Sequence, residues 1–538
     1  MSDPQTHPDD KVPTKKLKLS EENNQTTIKD FESFKTTKIL PDETWLKIFY
    51  YLPTSDILLN VARVSIHFNE LAKDSVHEIT LNFLSLKRFH QDNGDPYEYH
   101  SIIKDINRTI QNSKYLKKLS FQKIGIDKDD QEIMDKVVNT ALEFCPRFSQ
   151  IEWGSSIIFS YATGYFLNRD IFMKIVEKGQ NIQSLKFSEI PICQIQNEND
   201  NTTYCILEEA SNLTKLRHLT IENCCICSNC LIAFGDSLKN LESFTYKNEL
   251  HKDNPFHEEH GNLNPEDIIT TIANWKIDNL TDLTFIFNGY WNNDHMNKHW
   301  FRYLSKLTKL KKLVLKNIGF DVKEIETSGI IGYKFENLCH LELNGWYCAE
   351  SHSDILPSLF ENNNLEHLKY LKIVMKYPYR WIVTTHKEIF EIKPLYNKVV
   401  KAIALGCPKL EFLHLPEYSE GSEPMKFLIK YCRSLRILSL AMYRNNIMEL
   451  QNLNIVSMEG SKMGFDLITE IINELPKLSI LYLREERGHL KLDSSYEVLN
   501  DISQLGSINE RKFSELKIVQ PFNKNDILIP KIEPLLLQ

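Results

Sequence analysis

Four cysteines crowd into one short stretch, Cys224, Cys225, Cys227 and Cys230. A Cys-x-x-Cys pair with two further thiolates has the ligand chemistry of a tetrahedral zinc site. No second pair stands at finger-like spacing, and Cys224 also has a place in a repeat described below, so packing rather than metal binding is expected. Two other sets could ligate a cation: His251, His257 and His260 with Glu258 and Glu259, and His295 and His299 beside Asp294. Both lie in polar, Asn-rich stretches where histidines are commonly solvated. There is no Gly-rich phosphate loop and no Ser-x-Gly nucleophile elbow, and scattered Ser, His and Asp assemble no triad. The sequence therefore predicts no metal, no cofactor and no catalytic centre, and turns attention to surfaces that bind.

Those surfaces must be carried by a repeat that runs from Leu116 to Ile518. An apolar residue, two others, an apolar residue, one other and an apolar residue recur as Leu116-x-x-Leu119-x-Phe121, Phe148-x-x-Ile151-x-Trp153, Ile182-x-x-Leu185-x-Phe187 and Leu216-x-x-Leu219-x-Ile221. Further copies start at Leu241, Leu280, Leu310, Leu338, Leu368, Leu410, Leu435, Leu478 and Phe513, and Val76-x-x-Ile79-x-Leu81 reads as an atypical first copy. The last two apolar positions alternate as in a short strand with one buried face. Intervening stretches such as 130–144 and 397–406 have helical apolar spacing. Strand plus helix at a repeating period is the pattern of a leucine-rich-repeat solenoid, and the mean spacing of roughly 33 residues exceeds the usual 20 to 29, so several repeats carry insertions.

Ahead of the repeats lies a different unit. Pro41 suits a first helical position, and Asp42 and Glu43 favour the positive end of the helix dipole. Trp45, Ile48, Phe49 and Leu52 share one helical face before Pro53. Thr54, Ser55 or Asp56 can cap a second helix with a stripe of Ile57, Val61, Val64, Phe68 and Leu71. Leu46, Tyr50 and Tyr51 flank the first stripe, so one face can be buried while another awaits a partner.

Leu40-Pro41-Asp42-Glu43, Ile48-Phe49-x-x-Leu52-Pro53 and Val64-x-x-x-Phe68-x-x-Leu71 resemble an F-box, the module by which substrate receptors dock on the Skp-family adaptor of cullin ubiquitin ligases. Cys145-Pro146-x-Phe148, Cys407-Pro408-x-Leu410, Cys432-x-x-Leu435 and Cys224 after Ile221 resemble the cysteine-containing subtype of the leucine-rich repeat. The chain thus resembles the F-box leucine-rich-repeat family. The resemblance implies an α/β fold, with a small helical F-box followed by a horseshoe solenoid that has parallel strands on its concave face and helices outside. It also implies a non-catalytic substrate receptor whose direct partner is a Skp-family adaptor, whose indirect partner is a cullin scaffold, and which holds an unidentified protein substrate. Leu40, Pro41, Ile48, Phe49 and Leu52 carry over as adaptor contacts. Trp45 is added from its place on the same face, with a place in the unit's own core as the alternative. A repeat scaffold without a ligase role and a receptor for a small acidic ligand stay open as alternatives. The latter calls for clustered inward Lys and Arg, whereas Lys186, Lys312, Lys316 and Arg484 are spread over many repeats.

In each strand the residue between the last two apolar positions, and those flanking the pair, should face the concave side. Early in the array these are small or charged, as with Ser120, Lys186, Thr220 and Glu222. Later they become Tyr370, Val374, Met375, Phe412, His414, Ile437, Met442, Tyr482 and Arg484, and of these Tyr370, Met375, Phe412, His414, Ile437, Met442, Tyr482 and Arg484 are the candidate substrate contacts. Insertions after Tyr246, Phe285, Ile373, Leu440 and Leu483 should leave one edge and form a rim. Two of them are rich in hot-spot residue types, with Tyr290, Trp291 and Trp300 in one and Tyr377, Tyr379, Arg380 and Trp381 in the other.

The expected boundaries are a disordered polar tail over 1–37, an F-box over 38–80, a solenoid of about 13 irregular repeats over 81–520, and a cap or tail over 521–538. A net charge of −8 over 538 residues gives no nucleic-acid footprint. The amino terminus lacks an apolar signal region and no run of 18 apolar residues occurs, so no membrane association is expected, and the eleven cysteines are read as reduced intracellular thiols. Cytoplasmic or nuclear residence follows, with Lys15-Lys16-Leu17-Lys18 either a basic import signal or a solvated charge cluster.

Overall fold

A computed structural model describes residues 41–52, 64, 66–83, 96–124, 128–155, 169–190, 192–197, 202–205, 209–210, 212–224, 226, 231–232, 235, 238–248, 265–275, 277–287, 303–316, 335–346, 355–360, 365–375, 397–415, 423–441, 450–459, 474–478, 480–484 and 517–519. The polar tail, Leu40, the rim insertions with their aromatic residues, both histidine clusters, Cys225, Cys227, Cys230 and Met442 lie outside the described residues. The chain divides into two compact units, Met1–Ser75 and Val76–Gln538.

In the first unit, helix α1 (Asp42–Tyr50) and helix α2 (Ile66–Ser75) pack together. The Pro41 carbonyl accepts hydrogen bonds from the Thr44 and Trp45 amides at 2.9 and 3.2 Å, closing the first turn. Asp42 and Glu43 occupy that turn, where the helix dipole favours acids.

The second unit is built on a parallel sheet. Strands β1 (Glu78–Asn82), β2 (Lys118–Ile124), β3 (Gln150–Ser155) and β4 (Ser184–Ser188) run in chain order. After a hairpin of β5 (Cys193–Asn197) and β6 (Thr202–Cys205), the sheet resumes with β7 (His218–Glu222), β8 (Ser243–Asn248), β9 (Asp282–Phe287), β10 (Lys312–Lys316), β11 (His340–Trp346) and β12 (Tyr370–Met375). It ends with β13 (Phe412–Leu415), β14 (Ile437–Ala441), β15 (Ile455–Glu459), β16 (Ile480–Arg484) and β17 (Lys517–Val519), giving 15 strands in one sheet among the described residues. Val76-x-x-Ile79-x-Leu81 supplies the first strand, so residues 78–80 belong to the sheet. One strand, β15, comes from Leu453-x-x-Val456-x-Met458, a copy absent from the sequence reading. The stretch from Met442 to Asn454 before it is too short for the helical spacing that marks other repeats.

The apolar pattern has a direct structural reason. Leu119, Ile151, Leu185, Leu219, Phe244, Leu283, Leu313, Leu341, Leu371, Leu413, Leu438 and Val456 lie in one row beneath the sheet, none more than 1% exposed. The partner row includes Phe121, Trp153, Phe187, Phe285 and Leu343, all fully buried. The first apolar residue closes a turn before most strands, its amide bonding the carbonyl three residues earlier, as in Phe148 to Cys145 and Leu435 to Cys432. That earlier position is buried, and it is taken by cysteine in some repeats and by Leu213, Leu307 or Phe335 in others. The Cys145 thiol donates to the Ile110 carbonyl at 3.3 Å, and the Cys432 thiol lies 3.9 Å from the Cys407 carbonyl. Burial pushes the Cys145 thiol up to about 11 and the Cys432 thiol up to about 12.

Successive repeats are linked by shared carbonyls. At β2–β4 and β7–β14, two consecutive amides before and at the start of the strand donate to one carbonyl of the preceding repeat. Lys117 and Lys118 donate to His77, Lys311 and Lys312 to Thr281, and Glu411 and Phe412 to Lys369, with distances of 2.7 to 3.1 Å. At the other strand ends, Glu189 and Asn223 adopt left-handed φ of 60° and 52°. Their amides donate to the Glu222 and Lys247 carbonyls at 2.8 and 2.6 Å, which redirects the chain as it leaves the sheet. Amphipathic helices Pro96–Asn112, Lys128–Phe144, Arg169–Lys178 and Glu423–Tyr431 stand among the repeats.

Candidate functional site

The first candidate surface is on α1. Phe49 is 2% exposed and, with Leu71 and Ala72, forms the core of the helical unit, with Trp45, Leu46 and Phe68 packed against it. Trp45 meets Phe68 edge to face with ring centroids 5.0 Å apart and lies 5.9 Å from the Phe49 ring. The helix face away from this cluster keeps large apolar groups in solvent: Ile48 is 40% exposed, Leu52 37% and Tyr51 83%. Pro41 is exposed as well, and so is Val64. Of the expected adaptor contacts, Pro41, Ile48 and Leu52 are thus available, Trp45 is half-buried, and Phe49 is enclosed by its own unit. Tyr51 and Val64 stand outside the expected contact set yet are exposed, since helical periodicity names the stripe that packs and leaves its borders undefined. His67 Nε2 stands 3.0 Å from an Asp42 carboxylate oxygen, an exposed link between α2 and the start of α1.

The second candidate is the open face of the sheet, opposite the apolar rows. Its early part neutralises itself. The Lys118 ammonium sits 2.9 Å from Glu78 and 3.1 Å from Glu152, and Lys186 sits 3.0 Å from Glu222. Burial alone would lower the Lys118 pKa, but the two carboxylates outweigh it and hold the pKa above the usual value.

From β10 onward the face changes. In-register parallel pairing places His340 against Tyr370 and Tyr370 against Phe412. Neighbouring strands lie about 4.8 Å apart, so flat rings at matched positions can stack. His340 and Tyr370 stack with centroids 4.0 Å apart and planes 3° apart, and Tyr370 and Phe412 repeat this at 4.1 Å and 3°. Ile437 follows in the same row. The stacking covers the rings, leaving Tyr370 6% exposed and Phe412 2%, with Ile437 at 4%. These three expected substrate contacts therefore serve first as a packed ladder.

Beside the ladder, the Glu342 carboxylate is nearly inaccessible yet lies 3.2 Å from Lys316 Nζ, 3.5 Å from His340 Nε2 and 4.0 Å from Lys372 Nζ. The Lys316 contact is ionic rather than an aligned hydrogen bond. Burial would raise the Glu342 pKa, but His340, Lys372 and Lys316 overcome it and hold the carboxyl well below the usual carboxylate range. His414 is half-buried, with Nδ1 2.7 Å from the Ser439 hydroxyl. Met375 closes β12 opposite Trp346, past a bulge at Asn344, while Tyr482 and Arg484 pair in register with Ser457 and Glu459. Lys312 and Lys316 on β10 and Lys372 on β12 bring three amines to the strands on either side of β11, a concentration that the spacing of lysines along the sequence does not reveal.

The Cys224 thiol is buried and donates to the Glu222 carbonyl at 3.2 Å, a packing role. Among the described residues no group of three His, Cys, Asp or Glu is placed to hold a metal ion, and no helix is long and apolar enough to cross a membrane.

Residues 37–78 match the F-box-like family model. No curated protein matches the chain. Among solved structures it is similar to one in the mouse RP105/MD-1 complex, with 14% identity, a TM-score of 0.36, and coverage of 71% of this chain and 61% of that one. A structure of PEPR1 with AtPEP1 aligns at 11% identity and a TM-score of 0.22, covering 73% of this chain and 56% of the other. The chain thus spans less than two thirds of either, and the fold assignment rests on the repeat geometry itself. Residues 37–78 are an F-box-like domain, and the chain joins it to a leucine-rich-repeat solenoid.

Proposed function

We propose that the protein is the substrate-recognition subunit of a cullin-type ubiquitin ligase, docking on a Skp-family adaptor through α1 and holding a protein substrate on its repeats. The observation that carries this reading is the exposed apolar set Pro41, Ile48, Tyr51, Leu52 and Val64 on a helical unit in which Trp45, Phe49 and Phe68 pack together. Exposed large apolar groups on so small a unit are what a partner surface would cover. The match of residues 37–78 to the F-box-like model supports a Skp-family adaptor as that partner.

The receptor performs no chemistry in this reading. Holding a substrate lysine near a charged conjugating enzyme raises its effective concentration, and that positional effect accelerates transfer. Substrate is received on the open face of the later strands, around His414, Tyr482 and Arg484, with the His340-Tyr370-Phe412 ladder as a rigid floor and Lys312, Lys316 and Lys372 as its charged border.

Co-expression with a Skp-family adaptor tests the proposal. Wild-type chain is expected to co-purify with adaptor and cullin, and an Ile48→Asp, Leu52→Asp variant to lose both while staying soluble. Absence of adaptor from the wild-type preparation would overturn the ligase reading and leave a repeat scaffold.

A further inference from the structure

The hairpin between β4 and β7 interrupts the repeat, and its pairing carries chemistry that the docking proposal does not use. Strands β5 and β6 are antiparallel, and Cys193 lies directly opposite Cys205. The next pairs, Gln194 with Tyr204 and Ile195 with Thr203, fix that register. Directly opposed residues of an antiparallel pair have Cα atoms roughly 4.5 to 5.5 Å apart. That lies within the range of about 4.4 to 6.8 Å that a disulfide bridges without backbone movement. The two cysteines sit at the base of the hairpin, and each end of it is tied to the solenoid. Ile190 and Ile192 before β5 and Ala210 and Leu213 after β6 are buried, and the Glu189 amide donates to the Glu222 carbonyl at 2.8 Å. The backbone positions are therefore held together before any bond forms, so closure carries little loop entropy.

We propose that Cys193 and Cys205 are a redox-closable dithiol site whose co-reactant is a low-molecular-weight disulfide such as oxidised glutathione. The thiolate of one cysteine attacks a glutathione sulfur, breaking its S–S bond and releasing one glutathione thiolate. The opposed thiolate then attacks the protein sulfur of the mixed disulfide and expels the second glutathione. One S–S bond is broken and one is formed, two protein S–H groups are lost, and the two released thiolates take up the two protons, so the protein pair is oxidised and the co-reactant reduced. The closed form staples the base of the hairpin where it leaves the sheet. This inference stands apart from the ligase reading, since it rests only on the β5–β6 register.

The chain offers a direct readout. Trypsin releases the segment Phe187 to Lys215 as one peptide, and it contains Cys193 and Cys205 but no other cysteine. The full-length protein is incubated with oxidised glutathione near pH 8, alkylated, digested and weighed. The expected result is that peptide two hydrogens lighter than its reduced form and carrying no alkyl group or glutathione. Reduction with dithiothreitol before alkylation should restore two alkylated thiols. Cys205→Ser should leave Cys193 as a stable glutathione adduct. Moving the thiol by one position, in a Cys205→Ser, Tyr204→Cys variant, should abolish closure, because a one-residue shift places it on the other face of the ribbon. Two alkylated thiols, two separate glutathione adducts, or a link to the peptide His218 to Lys239 with its four cysteines would each overturn the proposal.

Discussion

Trp45 and Phe68 meet edge to face, 5.0 Å between centroids at 86°, and so join the two described helices of the F-box-like unit. A unit this small has few such contacts, and each carries a large share of its stability. Trp45→Ala should destabilise it by about 3 kcal/mol, in the range for large aromatic truncations. The check is hydrogen exchange over residues 42–50 in the full chain, where protection should fall sharply. Ile48→Asp should leave that protection nearly unchanged. Equal loss in both variants would contradict the division between core and docking groups.

The Glu342 cluster gives a pH prediction. A carboxyl held below its unfolded pKa contributes stability that is full above about pH 4.3 and is lost as pH falls through the folded value. The urea midpoint gap between wild type and Glu342→Ala should stay constant from pH 8 to about 5 and narrow only in stronger acid. At neutral pH the variant should lose about 3 kcal/mol, because Lys316 and Lys372 then lack their buried counter-ion. A gap that opens only above pH 6 would refute the cluster as described.

The ring ladder should behave as one object. Phe412→Ala is expected to cost about 3 kcal/mol. Tyr370→Ala with Phe412→Ala should cost measurably less than the two single losses added, since both remove the same stacking contact. Urea unfolding of the three variants decides it, and strict additivity would mean that the rings do not support each other.

Gly406 sits where a Cβ would lie 1.7 Å from the Phe360 carbonyl oxygen, a backbone atom. Alanine there would gain about 1 kcal/mol of helix propensity, yet Gly406→Ala should destabilise the protein because Phe360 must be displaced. A stabilised variant by thermal melting would show that the two segments are not in close contact.

The thiols of Cys145 and Cys432, raised to about 11 and about 12 by burial, should resist alkylation at pH 8 until the protein is unfolded. Their raised values also set a sign. Above about pH 8.5 the unfolded chain loses these protons first, so each thiol's contribution declines with rising pH until the folded values are reached. Rapid labelling of either thiol in folded protein would contradict their placement.

Much of the fold was legible because one short motif fixes both a strand and its buried side. Leu119 with Phe121 and Leu341 with Leu343 announce their rows without any knowledge of neighbours. β15 was harder to see because Leu453, Val456 and Met458 follow β14 after the shortest stretch of chain between two strands of the sheet, and the β5–β6 hairpin because residues 193–205 lack the motif. The candidate sites were harder. Alternation placed Tyr370 and Phe412 on the open face, but only the register between strands separated by a long insertion shows that their rings cover one another. In the same way, α1 periodicity grouped Phe49 with Ile48, and it took the packing of Phe68 to assign one to the interior and the other to solvent.

The carbonyls of His77, Lys117, Ser149, Gln183 and Arg217, each shared by two amides of the following repeat, make the solenoid behave like a zipper. Every tooth engages only its neighbours, so disorder can start cheaply at an end but must break two seams to start in the middle. Fraying should therefore advance inward from the terminal strands, and the central strands that carry the ladder and the Glu342 cluster should be the last to open.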